Sequence, residues 1–300
     1  MASLPKMIVY LSVIGLAVAG PLIAGVLLHR RKKRMRAERR SPLTSDLLRP
    51  AGYGIQLKLD EARDQVDEWL IALLALPLLV YSVHLTQSYM LGAQESLGRI
   101  LTSVLIGGTI VGWAAYRLVR VASSIDKLRI GLDAERAIGQ ALDQLMRSGA
   151  AVYHDIPADH CNIDHIVVCE AGVYAVETKG RSKPIRGKGS DDATVVFDGT
   201  KLWFPTWTEV APLAQAERQA AWTAQWLSSA IGEPVQVKPV LAIPGWFIDR
   251  KGRSSVLLTN GKKVEFLLSL EGRRLSKEMI QRVAHQIEQR CRTVKPTYSK

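Results

Sequence analysis

Residues 162–179 read Asn162-Ile163-Asp164-His165-Ile166-Val167-Val168-Cys169-Glu170-Ala171-Gly172-Val173-Tyr174-Ala175-Val176-Glu177-Thr178-Lys179. Two runs rich in β-branched residues, 162–169 and 173–179, are joined by Glu170-Ala171-Gly172, which predicts a β-hairpin. Side chains alternate across a strand, so Glu177 and Lys179 share one face and Thr178 points to the other. A connection of two or four residues brings Asp164 to that same face, opposite Lys179 and one diagonal step from Glu177. Two carboxylates and an amine then converge at one strand end. A solvated ion-pair cluster is the plain alternative, because a D…ExK spacing is common by chance.

Upstream of the hairpin, apolar residues fall at Ala134, Ala137, Ile138, Ala141, Leu142, Leu145 and Met146, the stripe of a helix over Asp133–Met146 that packs on a sheet. Glu135 borders this stripe, one turn from Gly139 and two from Leu142, beside the buried face. An acid that merely favours the helix dipole is the bland reading. Ala151–Ile156 reads as a strand. Downstream come strands over Val235–Ile243, Ser254–Leu258 and Lys263–Leu268, then a final helix over Ser276–Arg292, punctuated by Gly245, Asn260-Gly261 and Gly272. The sum is a mixed α/β sheet with helices on its faces.

Between Gly180 and Asp198 a basic loop carries Arg181, Lys183, Arg186 and Lys188, which suits a phosphate backbone or plain solvation. Trp203, Phe204 and Trp207, with Trp222 and Trp226 on the next helix, could stack bases, but a domain core accounts for them at least as well. His154, His160 and His165, with Asp155 and Asp159, match no usual zinc spacing.

The chain has 300 residues, with 40 Lys and Arg against 28 Asp and Glu, a net charge of +12 and 47% apolar residues. The pI is about 9.7 and the mean hydropathy +0.05. This apolar content excludes a disordered chain. Cys161, Cys169 and Cys291 form no CxxC, which argues against a zinc ribbon or a disulfide framework.

Both excesses concentrate near the N-terminus. Met7–Leu28 is 22 residues without an ionisable side chain, long enough to span a bilayer. Eight cations and the single acid Glu38 follow between Arg30 and Arg40. A downstream cluster of this kind opposes export, so the segment reads as an anchor and not a signal peptide, with its basic flank cytoplasmic. Trp69–Leu85 and Ile100–Tyr116 read as a transmembrane hairpin, the alternative being buried core helices. Gly108-xxx-Gly112 suits close helix approach and Pro77 a tolerated kink. His84 reads as interfacial. Pro42–Gly54 reads as a linker and Ile55–Glu68 as an amphipathic helix. The resulting organisation is a transmembrane helix at 1–29, a basic linker and amphipathic helix at 30–68, a transmembrane hairpin at 69–117 and a cytoplasmic domain at 125–300. The N-terminus lies outside and the chain sits in the cell (inner) membrane as a multi-pass protein. Arg30–Arg40 suits anionic lipid headgroups.

The second half resembles the NERD (nuclease-related) domain, a branch of the PD-(D/E)XK nuclease superfamily. Four blocks carry the resemblance: Gly131-Leu132-Asp133-Ala134-Glu135-Arg136, Asn162 to Val168, Gly172 to Gly180, and Pro212-Leu213-Ala214-Gln215. It covers residues 128–245 and implies a restriction-endonuclease-like mixed sheet flanked by helices. It also implies hydrolysis of DNA or RNA phosphodiesters with Mg²⁺, or Mn²⁺, held by Asp164, Glu177, Glu135 and the Thr178 carbonyl. Lys179 then holds the attacking water or offsets phosphate charge, and Gln215 orients the site. Nucleic acid, DNA first, and the lipid bilayer are the expected partners. The alternatives are a non-cleaving membrane scaffold that keeps the fold, and a soluble protein whose apolar helices form its core.

Overall fold

A computed structural model describes residues 12, 19–20, 23–31, 33–34, 42–89, 96–159, 161–184, 190–270 and 274–296. The chain divides into two compact units. One comprises Met1–Thr44, Asp60–Ile125 and Pro296–Lys300; the other comprises Ser45–Leu59 and Asp126–Lys295.

The first unit is built on two long helices, α1 (Tyr53–Tyr89) and α2 (Leu97–Asp143), whose ends belong to the second unit. Trp69 and Trp113 meet edge to face at 4.8 Å, and His84 Nδ1 lies 2.9 Å from Ser103 Oγ. Gly107 faces Val80, whereas Gly108 and Gly112 have nothing within 4 Å of a Cβ position. The close approach expected of Gly108-xxx-Gly112 is therefore made one residue earlier. Pro77 is accommodated inside α1. Among the described residues two helices, not three, are long and apolar enough to cross a membrane. Most of Met7–Leu28 lies outside the described residues, as does much of Arg30–Arg40; residues 23–31 are helical.

Two expected boundaries fall inside continuous helices. The amphipathic segment Ile55–Glu68 and the apolar segment after it form one helix, since neither Gly nor Pro separates them. The domain boundary expected near residue 125 falls inside α2, where the chain divides into its two units between Ile125 and Asp126. Ser123 Oγ donates to Val119 O at 2.9 Å and Ser124 Oγ to Val121 O at 2.7 Å, so both hydroxyls are satisfied without ending the helix.

The second unit is layered. Strands β2 (Ala151–Pro157), β3 (Asn162–Cys169) and β4 (Gly172–Thr178) form an antiparallel meander. With β8 (Val237–Ala242) and β10 (Leu257–Thr259) parallel to β4, they make a five-stranded sheet of order β10-β8-β4-β3-β2. The C-terminal part of α2 covers one face, where Ile138 and Leu142 pack on Tyr174 and Val176. Helices α3 (Ala211–Ile231) and α5 (Lys277–Cys291) cover the other, where Ala220, Leu227, Val283 and Ile287 pack on Ile166, Val168, Val173 and Ala175. Period-two alternation thus sends both strand faces into apolar layers, which is why β3 and β4 read as nearly continuous apolar runs.

A second sheet of order β7-β6-β5-β9 comprises β5 (Thr194–Phe197), β6 (Leu202–Trp203), β7 (Thr208–Glu209) and β9 (Phe247–Arg250). Its core includes Phe204, Leu213 and Trp246. Residues 263–268, expected as a strand, instead lead into a short helix, α4 (Phe266–Ser269), whose Leu267 packs into the main core. The expected linker Pro42–Gly54 contains strand β1 (Leu47–Leu48), which pairs antiparallel with β11 (Arg292–Val294).

Candidate active site

The hairpin turn sets the geometry. Cys169 pairs with Gly172, so the connection is the two residues Glu170-Ala171, and Gly172 enters β4 with φ of 139°, a conformation that favours glycine. The register His165↔Val176 then places Asp164 across from Glu177, not across from Lys179 as the sequence suggested. Asp164 Oδ2 accepts from the Thr178 N–H at 2.6 Å. Lys179 Nζ lies 2.5 Å from Glu177 Oε1, and the Lys179 N–H is anchored on Ala242 O at 2.8 Å.

These groups open on a cleft of about 680 Å³ at the C-terminal end of β4. Glu135, Asp164, Glu177, Thr178, Lys179 and Gln215 all line it, so the residues singled out from the sequence converge. Glu135 and Glu177 are buried, at 7% and 2% exposure. Burial first, then the charges of Asp155 and Glu177, push the Glu135 carboxyl from 4.5 up to about 7, against the pull of Lys179 and Lys58. Burial, with Glu177 and Glu135 as like charges, also holds Asp164 well above the usual carboxylate range.

Several groups in or behind the cleft were not legible as site residues. Gln219, not Gln215, touches Glu177, with Nε2 donating to Oε2 at 2.5 Å. Its one available signal was its place on the buried stripe of α3, among Ala216, Ala220 and Thr223. Asp155 falls between the paired His154↔His165 and Ile156↔Ile163, with φ of 49°, a left-handed value rare outside glycine. Its carboxylate accepts from Arg49 at 2.9 Å and from Asn162 Nδ2 at 3.0 Å. Gly54, Ile55 and Lys58, at the start of α1, form a further wall. Gly54 lies so close to Asn162 and Asp155 that a Cβ would sit 2.7 and 2.9 Å from their polar atoms. Arg181, also in the cleft, is held by both oxygens of Glu209 at 2.7 and 2.8 Å.

Other features noted in the sequence have structural partners. His154 Nδ1 lies 2.9 Å from His165 Nδ1, and its Nε2 lies 3.0 Å from Asp143 Oδ1; His160 is outside the described residues. Phe204 stacks on Trp207 at 4.5 Å, and both meet the buried Trp246 edge-on. Trp222 and Trp226 stack beneath the Arg290 guanidinium. Part of the basic loop, residues 185–189, is outside the described residues.

Residues 130–244 match the family of nuclease-related (NERD) domains. The NERD match spans every cleft residue contributed by β2, β3, β4 and α3, and Glu135 of α2. Ser45–Leu59 and everything after residue 244 lie beyond it. Searches among curated proteins and among solved structures give no match.

Among the described residues no three His, Cys, Asp or Glu side chains are arranged to hold a metal ion between them. Mg²⁺, however, takes one or two carboxylates and completes its shell with water. The pair Asp164 and Glu177 meets that demand with hard oxygen ligands, each oxygen having lone pairs beyond the hydrogen bonds it accepts. A bound cation would relieve the crowding that raises Glu135 and Asp164.

Proposed function

We propose that this protein is a membrane-anchored, metal-dependent nuclease that hydrolyses phosphodiester bonds of DNA or RNA. The observation that carries the reading is the convergence of Asp164, Glu177 and Lys179 in one cleft, within the segment that matches a nuclease-related domain. Asp164 and Glu177 hold the divalent cation, Mg²⁺ or Mn²⁺, with Glu135 and the Thr178 carbonyl as further oxygen donors. When bound, the cation activates a water and neutralises charge on the phosphate.

The chain's own groups do the rest. Lys179 places an ammonium beside Glu177, where it offsets charge building on a phosphate oxygen. Gln219 fixes the Glu177 carboxylate through its Oε2, so that the carboxylate is aimed before substrate arrives. Gln215, one turn earlier on α3, faces the same cleft and is placed to contact substrate backbone. Two long apolar helices with Leu74 and Leu105 at 75% and 72% exposure support a membrane anchor. The basic flanks after the first and third apolar segments, with only Glu95 and Arg99 as charges between the second and third, support an outside N-terminus and a cytoplasmic catalytic unit.

The test is the full chain in detergent, incubated with single- and double-stranded DNA and RNA in Mg²⁺, Mn²⁺ or EDTA, beside Glu177→Ala and Lys179→Ala. Metal-dependent cleavage that falls at least about 100-fold in both folded variants is expected. No cleavage of any substrate by the intact protein, with salt-sensitive binding retained, refutes the nuclease and leaves a non-cleaving scaffold.

A further inference from the structure

A second concavity, of about 1120 Å³, lies between the edge strands of the two sheets, β9 and β10, and the segment that joins them. Five exposed cations line it, Lys183, Arg250, Arg253, Lys262 and Lys263, and among the described residues its lining contains no Asp or Glu. Nothing in the fold explains this separation of charge. Among the described residues, Lys183, Arg253, Lys262 and Lys263 have no carboxylate partner, while the neighbouring Lys251 pairs with Asp249 outside the lining. Phe247 stands in the groove at 65% exposure, and Leu257 and Phe266 continue the apolar wall.

The groove is joined to the catalytic cleft by covalent and hydrogen-bonded backbone. Arg181 lines the cleft and Lys183, two residues on, lines the groove. Between them Trp246 of the groove donates its Nε1–H to Arg181 O at 3.1 Å. A polyanion held at the end of β4 thus meets a continuing line of positive charge. A duplex turns its phosphates outward and its bases inward, so it leaves the apolar wall wet. A single strand can lay bases on Phe247 while its phosphates meet the cations.

We propose that this groove binds a single-stranded length of nucleic acid leading away from the cleft. The assignment deepens the nuclease reading and rests on it for the identity of the polyanion. Lys262, Lys263 and Phe247 are all exposed, so their replacement spares the core.

Binding of a fluorescent ~20-nucleotide oligothymidylate, and of a duplex of equal length, to the full chain in detergent with EDTA tests the proposal. The double variant Lys262→Glu, Lys263→Glu should weaken single-strand binding at least ~10-fold and flatten the log affinity against log salt slope by about 1.4, the value for two lost phosphate contacts. Phe247→Ala should weaken the single strand about 5-fold or more, leave its salt slope unchanged and hardly touch the duplex. Unchanged single-strand affinity and slope in both variants overturn the proposal. So does unchanged oligonucleotide binding with lost binding of short-chain phosphatidylglycerol, which assigns the groove to lipid headgroups. Cleavage with Mg²⁺ separates the two readings. If the intact protein cuts and the groove variants bind and cut as it does, the groove fails alone. If nothing cuts but the groove variants lose the oligonucleotide, the nuclease fails and the groove stands.

Discussion

Replacing Glu135 by Gln removes one charge from the cleft while keeping the side chain's size and its capacity to hydrogen bond. The folded protein holds the Glu135 carboxyl at about 7, against an ordinary value of 4.5. Folding therefore takes up a proton between those values, and the folded state loses stability as pH rises through that window. Once the window is passed, the charged form costs the metal-free fold about 3 kcal/mol relative to the unfolded chain. This is an upper bound, because Asp164 is raised by the same like-charge crowding and the two acids do not respond independently.

Glu135→Gln should accordingly match the parent at about pH 5 and exceed it by up to about 3 kcal/mol at about pH 8, or roughly 5–10 °C in Tm for a unit of this size. Tryptophan fluorescence during heating, in detergent and EDTA, reads this directly. Adding Mg²⁺ at the higher pH should raise the parent more than the variant, since the cation relieves the same crowding. A variant that is less stable at both pH values, or a gap that does not widen with pH, refutes the claim that like-charge burial governs the cleft.

Gln219→Leu leaves Oε2 of the buried Glu177 carboxylate without its donor, Oε1 keeping Lys179, and should cost about 1–3 kcal/mol by thermal unfolding, with Gln215→Ala nearly neutral. Equal effects at the two positions would show that the bond to Glu177 contributes nothing. Arg49→Ala removes the partner of Asp155, whose side chain is only 5% exposed, and should cost about 2–4 kcal/mol and speed proteolysis of the region before α1; unchanged digestion would argue against it. A fragment beginning at residue 126 lacks β1, Arg49 and the Gly54, Ile55 and Lys58 wall, so it should melt lower than the same unit in the full chain. Supplying a peptide of residues 45–59 should recover part of the loss, and an equally stable fragment would refute the docking.

The parts of the site legible beforehand were those that local periodicity controls. Alternation along 162–179 placed Asp164, Glu177 and Lys179 at one strand end, and the apolar stripe over Asp133–Met146 placed Glu135 beside the sheet. Register was harder, because it turns on whether Gly172 and Val173 belong to the turn or to the strand. A glycine at φ of 139° can pair there, and that moved Asp164 from opposite Lys179 to opposite Glu177. Gln219 was hidden because a buried glutamine announces itself only when its partner, 42 residues away, is known. Pro42–Gly54 has the composition of a linker, and its ordering comes from contacts in the distant β11 that no local pattern encodes. The domain boundary read near residue 125 leaves no break in α2, because a serine hydroxyl can return its hydrogen bond to its own helix.

The pairing of β1 with β11 has a consequence for the order of synthesis. Arg49 and Thr293, bonded through Nε and Oγ1, are separated by 244 residues, and the whole α1–α2 hairpin is made between them. Ser45–Leu59 therefore emerges first and waits, at translation rates of about 5–20 residues per second, for tens of seconds before its partner strand exists. For the first part of that interval Arg49 has no Asp155, 106 residues away, and Gly54 has no Asn162 to pack on, so one wall of the cleft stands without the others. The second unit closes only after the apolar helices have been made, so its cleft stays incomplete on a nascent chain that stalls before them.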